Sequence, residues 1–288
     1  MKWQGINEFV AVAETQSFSA ASRNLNISTA QVSRQITALE KRLQVKLFYR
    51  TTRKVSLTQE AQLFYQHCRQ LLDGLDNAEQ AITNLQSSPK GKIKLTAPVT
   101  YGEQKILPLV NDFVMLYGEV EVTTELTNNQ VDLIEDGFDV AIRLGQLQDS
   151  SLIAKQLTQR VNYVCASANY LQKNGLPSSL IDLKNHNCLL GTKDHWNFLD
   201  QGKNKAIKVQ GNLRCNSGSA LLDAALKGIG VVQLSDYYLL SYIKSGQLVA
   251  VLDEFREPAE GIWAVYPQNR FLSPKIRLFI DYLAEHLN

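Results

Sequence analysis

Three successive patterns of apolar spacing divide this chain. In residues 3–14, Ile6, Phe9, Val10 and Ala13 recur at steps of three and four, which predicts a helix buried along one stripe. Residues 17–40 read as two short helices around a polar corner at Asn24, Asn26 and Ser28. The first carries Phe18, Ala20, Ala21 and Leu25, with small residues where a neighbour comes close. The second carries Val32, Ile36, Leu39 and Leu43 on one face. Ser28 stands at the N-cap position with Gln31 three residues on, the spacing of a capping box. Residues 47–49 and 55–57 are short and apolar enough to pair as a hairpin, with Arg50, Arg53 and Lys54 at its tip.

Thr58 opens the second pattern. Ala61, Phe64, Cys68, Leu71, Leu75, Ala78, Ile82 and Leu85 step alternately by three and four, the heptad signature of a coiled coil. A core helix of a globular domain would carry a wider stripe. As a helix, residues 58–86 extend about 43 Å at about 1.5 Å per residue. Phe64, Leu71, Leu75 and Ile82 are expected to form the seam of a two-fold pair. Gln86-Ser87-Ser88-Pro89-Lys90-Gly91 ends the helix in a hinge.

From Lys92 strands and helices alternate. Strands are expected at 93–96, 120–126, 140–143, 161–166, 212–216, 231–234 and 262–266. Helices are expected at 104–117, 131–136, 219–226, from Ala168, from Asp236, and from Pro274 with Ser273 as its cap. Residues between the helix at Ala168 and Leu190 read as irregular. A βαβα order predicts largely parallel sheets covered by helices. The division is therefore 1–58, 59–90 and 91–288, the last in two lobes: 91–162 with 267–288, and 163–266.

Charge sharpens this division. Residues 1–58 hold nine Lys and Arg against three acids, net +6, so with +2 for the whole chain the remainder carries −4. Such a concentration suits a polyanion, and duplex DNA fits the helix–corner–helix pattern better than RNA or anionic lipid. The opening MKWQGINEFV is broken by Gln4, Asn7 and Glu8 and is no signal peptide. No apolar run reaches the length of a membrane span, so no membrane partner and a cytoplasmic location are expected. Cys68, Cys165, Cys188 and Cys215 form no C-x-x-C pair; they read as incidental thiols in a reducing compartment, with redox sensing as the alternative. The four histidines lack ligand spacing, and there is no nucleophile triad, phosphate loop or paired-acid motif. Neither an enzyme nor a bound metal or cofactor is expected.

The N-terminal part of the second short helix faces base edges in a helix-turn-helix, which singles out Thr29, Ala30, Gln31, Ser33 and Arg34. Arg50, Arg53 and Lys54 would hold phosphates. The spaced residues S-F-S-x-A-A-x-x-L-x-I-S, V-S-x-x-I-x-x-L-E, L-F-x-R-x-x-R and L-T, from Phe9 to about Leu63, resemble the DNA-binding domain of LysR-type transcriptional regulators. Gln44 and Ala61 depart from it, since the family commonly has Gly at both positions. The later α/β units resemble the same family's effector domain, itself similar to periplasmic solute-binding proteins. The resemblance implies an N-terminal all-α winged helix-turn-helix with a long linker helix and a C-terminal α/β two-lobed, periplasmic-binding-protein-like effector domain. It also implies a homodimer or homotetramer on an interrupted dyad in double-stranded DNA, a small-molecule effector, and RNA polymerase as a further partner.

Ligands of such sheets sit beyond strand ends, at helix N-termini. Thr100 with Tyr101, and Asn216 with Ser217, occupy such positions in the two lobes. Arg143 ends a strand and is able to take a carboxylate bidentately, which favours an anionic effector. The resemblance places Thr127 at a further strand end, Ser167 lies near the lobe crossover, and Trp196 would add apolar contact. Capping of their own elements is the competing role for Thr100, Thr127, Asn216 and Ser217, and an internal salt bridge for Arg143. Two other functions fit parts of the pattern. A transport solute-binding protein would need a signal peptide and no helix-turn-helix; an effector-independent architectural DNA-binding protein would need no open cleft.

Overall fold

The computed structural model describes residues 3–50, 55–83, 89–147, 151–268 and 272–287, with side chains of 70, 73 and 76–83 excepted. The chain forms two compact units whose main boundary falls between Ser88 and Pro89. The first is built from α1 (Ile6–Thr15), α2 (Phe18–Asn24), α3 (Thr29–Leu43), the antiparallel pair β1 (Phe48–Arg50) and β2 (Val55–Leu57), and α4 (Gln59–Thr83). Their apolar stripes meet in one core around Phe9, Val32, Ile36, Leu39, Leu47, Ala61 and Cys68. Gly5 precedes α1 at φ +88°, where a Cβ would lie 2.8 Å from the Gln35 carbonyl oxygen, so α3 approaches there only because the residue is glycine.

The first turns of α4 belong to this core. Phe64 packs on Phe9 with ring centroids 5.2 Å apart, and Cys68 is buried. The start of the heptad stripe therefore docks on α1, and the stripe is exposed beyond Cys68. Leu71 and Leu75 are 52% and 56% exposed. The side chain of Ile82 lies outside the described residues, as do Arg53, Lys54, the heptad position Leu85 and residues 86–88 of the expected hinge.

In the second unit, lobe one is a five-stranded sheet in the order β4-β3-β5-β13-β6. Its strands are β3 (Gly91–Ala97), β4 (Val120–Leu126), β5 (Val140–Leu144), β6 (Leu152–Arg160) and β13 (Glu260–Pro267). β3 runs parallel to β4 and β5, whereas β13 runs antiparallel to β5 and β6. Residues 262–266, assigned to lobe two, are thus hydrogen-bonded inside the sheet of lobe one. Lobe two is a four-stranded sheet, β12-β7-β11-β8, comprising β7 (Asn162–Ser167), β8 (Cys188–Leu189), β11 (Val231–Ser235) and β12 (Leu248–Val251). Only β8 and β11 are parallel there. Both sheets are mixed because the strands that join the lobes, β6–β7 and β13, enter against the direction of their neighbours.

Other expectations are corrected by particular residues. The 131–136 helix is a series of turns closed by Phe138 N–H donating to Leu133 O at 2.8 Å, since so short a run ending in Gly137 at φ +68° does not sustain a helix. The 104–117 helix begins earlier, at α5 (Val99–Tyr101), passes through a π turn at Gly102–Ile106 and continues as α6 (Leu107–Leu116). Pro108 lacks an N–H for the regular ladder, and the widened turn before it removes the clash with the preceding carbonyls. The irregular stretch contains a 3₁₀ turn (Leu180–Asn185) after α7 (Ala168–Asn174). It is followed by a hairpin, β9 (His195–Asp200) with β10 (Lys203–Lys208), closed by Gln201 at φ 50° and Gly202 at φ 74°. Positive φ at both turn residues is what a tight two-residue hairpin requires. Residues 212–216 form no strand; Arg214 makes a single bridge to Leu190.

α8 (Gly218–Leu226) and α9 (Asp236–Lys244) pack with Cys165, Val232 and Leu248 on one face of lobe two's sheet, and Val164, Ala166 and Val231 face a second cluster with Trp196 and Phe198. α10 (Pro274–His286) starts at Pro274 as expected, but the buried Ser273 hydroxyl has no hydrogen-bond partner among the described residues. Among those residues, no helix is long and apolar enough to cross a membrane.

Candidate nucleic-acid interface and effector region

The corner between α2 and α3 is fixed by its own polar groups. The Ser17 hydroxyl accepts from Ala20 N–H at 3.3 Å and the Ser28 hydroxyl from Gln31 N–H at 3.2 Å, capping the two helices. Asn26 takes φ 52°, and Ile27 N–H donates to Ser22 O at 3.1 Å. The return arm of the expected capping box is not formed, so the Gln31 side chain stays outside the cap. Thr29, Ala30, Gln31 and Arg34 are exposed and Ser33 is half-buried. The Thr29 hydroxyl is hydrogen-bonded to Ser22 at 3.1 Å, which leaves Gln31, Ser33 and Arg34 as uncommitted side chains at the start of α3. Arg50 lies over the Phe18 ring at 4.4 Å, a cation–π contact that sets the guanidinium beside α2.

Below the reading face, Glu40 is buried. Its carboxylate accepts from Leu47 N–H at 2.9 Å and from Lys46 Nζ at 3.1 Å. Burial alone would raise its pKa, but the Leu47 N–H and Lys46 together outweigh it and hold the carboxyl below its ordinary range.

In the effector region most of the expected residues serve their own elements. Thr127 Oγ1 accepts from Asn129 N–H at 3.1 Å, Ser167 caps α7 through Tyr170 N–H at 3.3 Å, and Ser217 caps α8 through Ala220 N–H at 3.4 Å. Arg143 donates to the Val131 carbonyl at 3.0 Å, and burial lowers its pKa. Among the described residues it makes no salt bridge, the competing role expected of it. Trp196 is buried in the core of lobe two, where alternation along β9 turns it inward. Thr100 is half-exposed and Asn216 exposed, and neither side chain has a partner among the described residues.

Tyr101 is also buried, and its ring meets Tyr237 of lobe two edge-on at 5.1 Å. Burial, with Tyr237 and Asp236 nearby, pushes the Tyr101 phenol well up, and burial raises Tyr237 to about 12, so both stay neutral. Beside this contact lies a polar hub that sequence reasoning missed. Arg160 donates twice to Glu260 Oε2, at 3.1 and 2.9 Å, and once to the Ser235 hydroxyl at 3.1 Å. The Ser235 hydroxyl donates to Asn162 Oδ1 at 2.8 Å, and the Val161 and Asp236 backbones are tied together by Asp236 N–H to Val161 O at 2.8 Å. No local pattern reveals such partners, which are separated by up to 100 residues. A shallow surface depression in lobe two is lined by Asn162, Asn197, Phe198, Gln233, Arg256 and Glu257 among others, and none of the expected effector residues lines it.

The cysteines carry no disulfide. Burial pushes the Cys68 thiol up to about 11 and those of Cys165 and Cys188 to about 12, so these three are protonated and inert at neutral pH.

A helix-turn-helix head on a long helix, followed by two mixed α/β lobes, defines a DNA-binding regulator with a ligand-sensing domain. Residues 3–62 match the bacterial regulatory helix-turn-helix protein, lysR family, and residues 86–288 match the LysR substrate binding domain. The chain is 34% identical to an uncharacterized HTH-type transcriptional regulator of Haemophilus influenzae, over 96% of this chain and 97% of that one. It is also 34% identical to the HTH-type transcriptional activator TtdR of Escherichia coli K12, over 96% and 90%. CrgA, a LysR-type transcriptional regulator from Neisseria meningitidis, superposes with a TM-score of 0.64 at 31% identity, over 99% of this chain and 98% of that one. The chain belongs to the LysR-type family of transcriptional regulators: it is a DNA-binding regulator with an effector-binding domain, and not an enzyme.

Proposed function

We propose that this regulator acts in the cytoplasm as a homodimer or homotetramer. Two α3 helices read the halves of an interrupted dyad, and a small anion held between the lobes shifts the arrangement of the effector domains; RNA polymerase is the partner that reads the change. The uncommitted row Gln31, Ser33 and Arg34 on a capped, rigid helix carries the DNA part of this reading, because base readout needs donors and acceptors not already paired within the protein. The outward leucines Leu71 and Leu75 support pairing through α4. Thr100 and Asn216 support the effector part as the two uncommitted polar side chains among the eight expected to meet it, with Thr100 next to the Tyr101–Tyr237 contact that links the lobes. A ligand there would act only through different affinities for two arrangements of the lobes.

Mapping the sites occupied on the source genome, then testing metabolites of the adjacent genes on the full chain, checks this reading. A metabolite is expected to raise the melting temperature and to change DNA affinity in the same concentration range. Specific DNA binding with no melting shift from any of them would sink the effector part and leave an architectural DNA-binding protein.

A further inference from the structure

Two residues of the N-terminal sequence pattern have no part in reading DNA: Glu40, which closes V-S-x-x-I-x-x-L-E, and Thr58, which closes L-T. They converge on one peptide group. The N–H of Leu47 donates to Glu40 Oε1 at 2.9 Å, while the carbonyl of Lys46, the other end of the same peptide, accepts from Thr58 Oγ1 at 2.8 Å. Thr58 N–H donates to the Leu47 carbonyl at 3.0 Å, and Thr58 Oγ1 also accepts from Ala61 N–H at 3.2 Å, capping α4. Glu40 lies in the last turns of α3 and Thr58 at the first residue before α4, so a planar peptide joins the two helices. Glu40 and Thr58 are 5% and 3% exposed and the Leu47 side chain below them is 1% exposed, so the Leu47 bond to Glu40 is shielded from water. A second strut acts further along: Glu14 of α1 accepts from Tyr65 Oη at 3.2 Å and pairs with Arg69 at 3.2 Å, both on α4.

We propose that Glu40 and Thr58 clamp the Lys46–Leu47 peptide so that α3 and α4 move as one body, which makes them positioning residues for half-site spacing. This rests on the proposed pairing through α4. If α4 carries the two-fold seam, its angle to α3 sets the distance and rotation between the two reading helices. One base pair of spacer changes that distance by about 3.4 Å, and turns the half-site by about a tenth of a helical repeat. A rigid clamp therefore rejects altered spacers, and a loosened one tolerates them.

The test uses the full chain and a dyad duplex that the parent selects from a randomised pool. Affinities are measured for that duplex, for its half-site alone, and for spacers changed by one and two base pairs. Glu40→Ala leaves the Leu47 N–H without an acceptor, and Thr58→Val removes both hydroxyl bonds at nearly constant shape. Glu40→Gln and Thr58→Ser keep the acceptor and the hydroxyl. The parent is expected to lose about tenfold or more in affinity per altered base pair, a penalty comparable to a mismatch. Thr58→Val and Glu40→Ala are expected to lose less than about threefold, with half-site affinity kept within about threefold, and the conservative variants to restore the parent profile. A dimeric Thr58→Val that keeps the parent's spacing profile overturns the clamp, as does a fall in half-site affinity equal to the fall on the dyad. Should Glu40→Ala fail to fold, Thr58→Val and its rescue by Thr58→Ser decide alone. A parent that sediments as a monomer sinks the pairing through α4, and the spacing role with it; the clamp alone fails when the parent is dimeric.

Discussion

The exposed start of α3 and the strand ends of the two lobes treat polar side chains in opposite ways. Ser17 caps α2, Ser28 caps α3 and the Ser22 and Thr29 hydroxyls bond each other, while Gln31, Ser33 and Arg34 have no side-chain partner among the described residues. In the lobes, Thr127, Ser167, Ser217 and Arg143 satisfy their own backbone, and Thr100 and Asn216 stay free. The difference follows from what each region recognises. A protruding helix reads an external surface and needs free side chains on a frame held elsewhere. Strand ends in a two-lobed domain must first cap buried helices, because an unpaired backbone group inside the fold costs about 1–3 kcal/mol. Few polar side chains at these strand ends are therefore left free, and the lobes are joined by the Tyr101–Tyr237 contact and by the Arg160 bond to the Ser235 hydroxyl.

The largest test of this contrast lies at the outward face of α4. Leu75→Asp places a carboxylate where the seam has no partner for it, and an uncompensated charge in such a place costs several kcal/mol. Sedimentation should show monomers and DNA binding should lose its preference for dyads, while the second unit melts as in the parent. Unchanged oligomers would show that α4 carries no seam. A smaller effect is expected on the reading face. Arg34→Ala should cost about 1–3 kcal/mol on the preferred duplex and relax choice at one base pair. Arg50→Ala should instead weaken all duplexes alike and lower the salt slope by about one. Equal losses on preferred and random DNA for Arg34→Ala would remove it from the base readers.

How far each region was legible in the sequence follows the same contrast. The helix-turn-helix is signalled locally, so Ser28 before Val32, Ile36 and Leu39 was enough to place α3 and its cap. The contact of Phe64 with Phe9 was not legible, because a heptad looks the same whether it meets a partner chain or the protein's own α1. In the lobes, helices α8 and α9 and strands β3, β4 and β11 were legible from short apolar runs. β6 was not, since an edge strand with weak alternation carries little signal, and neither was the β9–β10 hairpin, whose Gln201–Gly202 turn lacks the usual Asn or Asp. Residues that end strands were legible as strand ends, but only the structure separates those that cap from those left free.

Two substitutions sharpen the contrast inside the cleft. Thr127→Val removes the acceptor for Asn129 N–H and should lower stability by about 1 kcal/mol with or without ligand. Thr100→Val should leave the melting temperature of the free protein unchanged and blunt the response to a metabolite that binds the parent. Calorimetric titration showing the same affinity for Thr100→Val and the parent would place the ligand elsewhere. Acid should separate the units as well. The Glu40 carboxyl is depressed below its ordinary value of 4.5, so its contribution is fully present above that pH and is lost as pH falls through the lower, folded value. Melting curves of the full chain below pH 4.5 should show the first unit losing stability in Glu40-dependent fashion, and Glu40→Gln should flatten that dependence.

The smallest effect concerns the turn after α3. Gln44 ends that helix at φ 56° and ψ 29°, a left-handed conformation that its N–H uses to reach the Glu40 carbonyl. Left-handed backbone disfavours a residue with a Cβ, and glycine is the common solution at this position of a helix. Gln44 offsets part of the cost with a hydrogen bond from Nε2 to the Lys41 carbonyl at 2.9 Å, but that bond is exposed and its net contribution is small. Gln44→Gly removes the strain while giving the unfolded chain more freedom. The balance should favour the variant by about 0.5–1 kcal/mol, since φ is already suited to glycine. Hydrogen exchange of the α3 amides should slow by about two- to fivefold, the factor that such a free energy implies. Faster exchange would mean that the Gln44 side-chain bond, and not the backbone, holds the end of the reading helix.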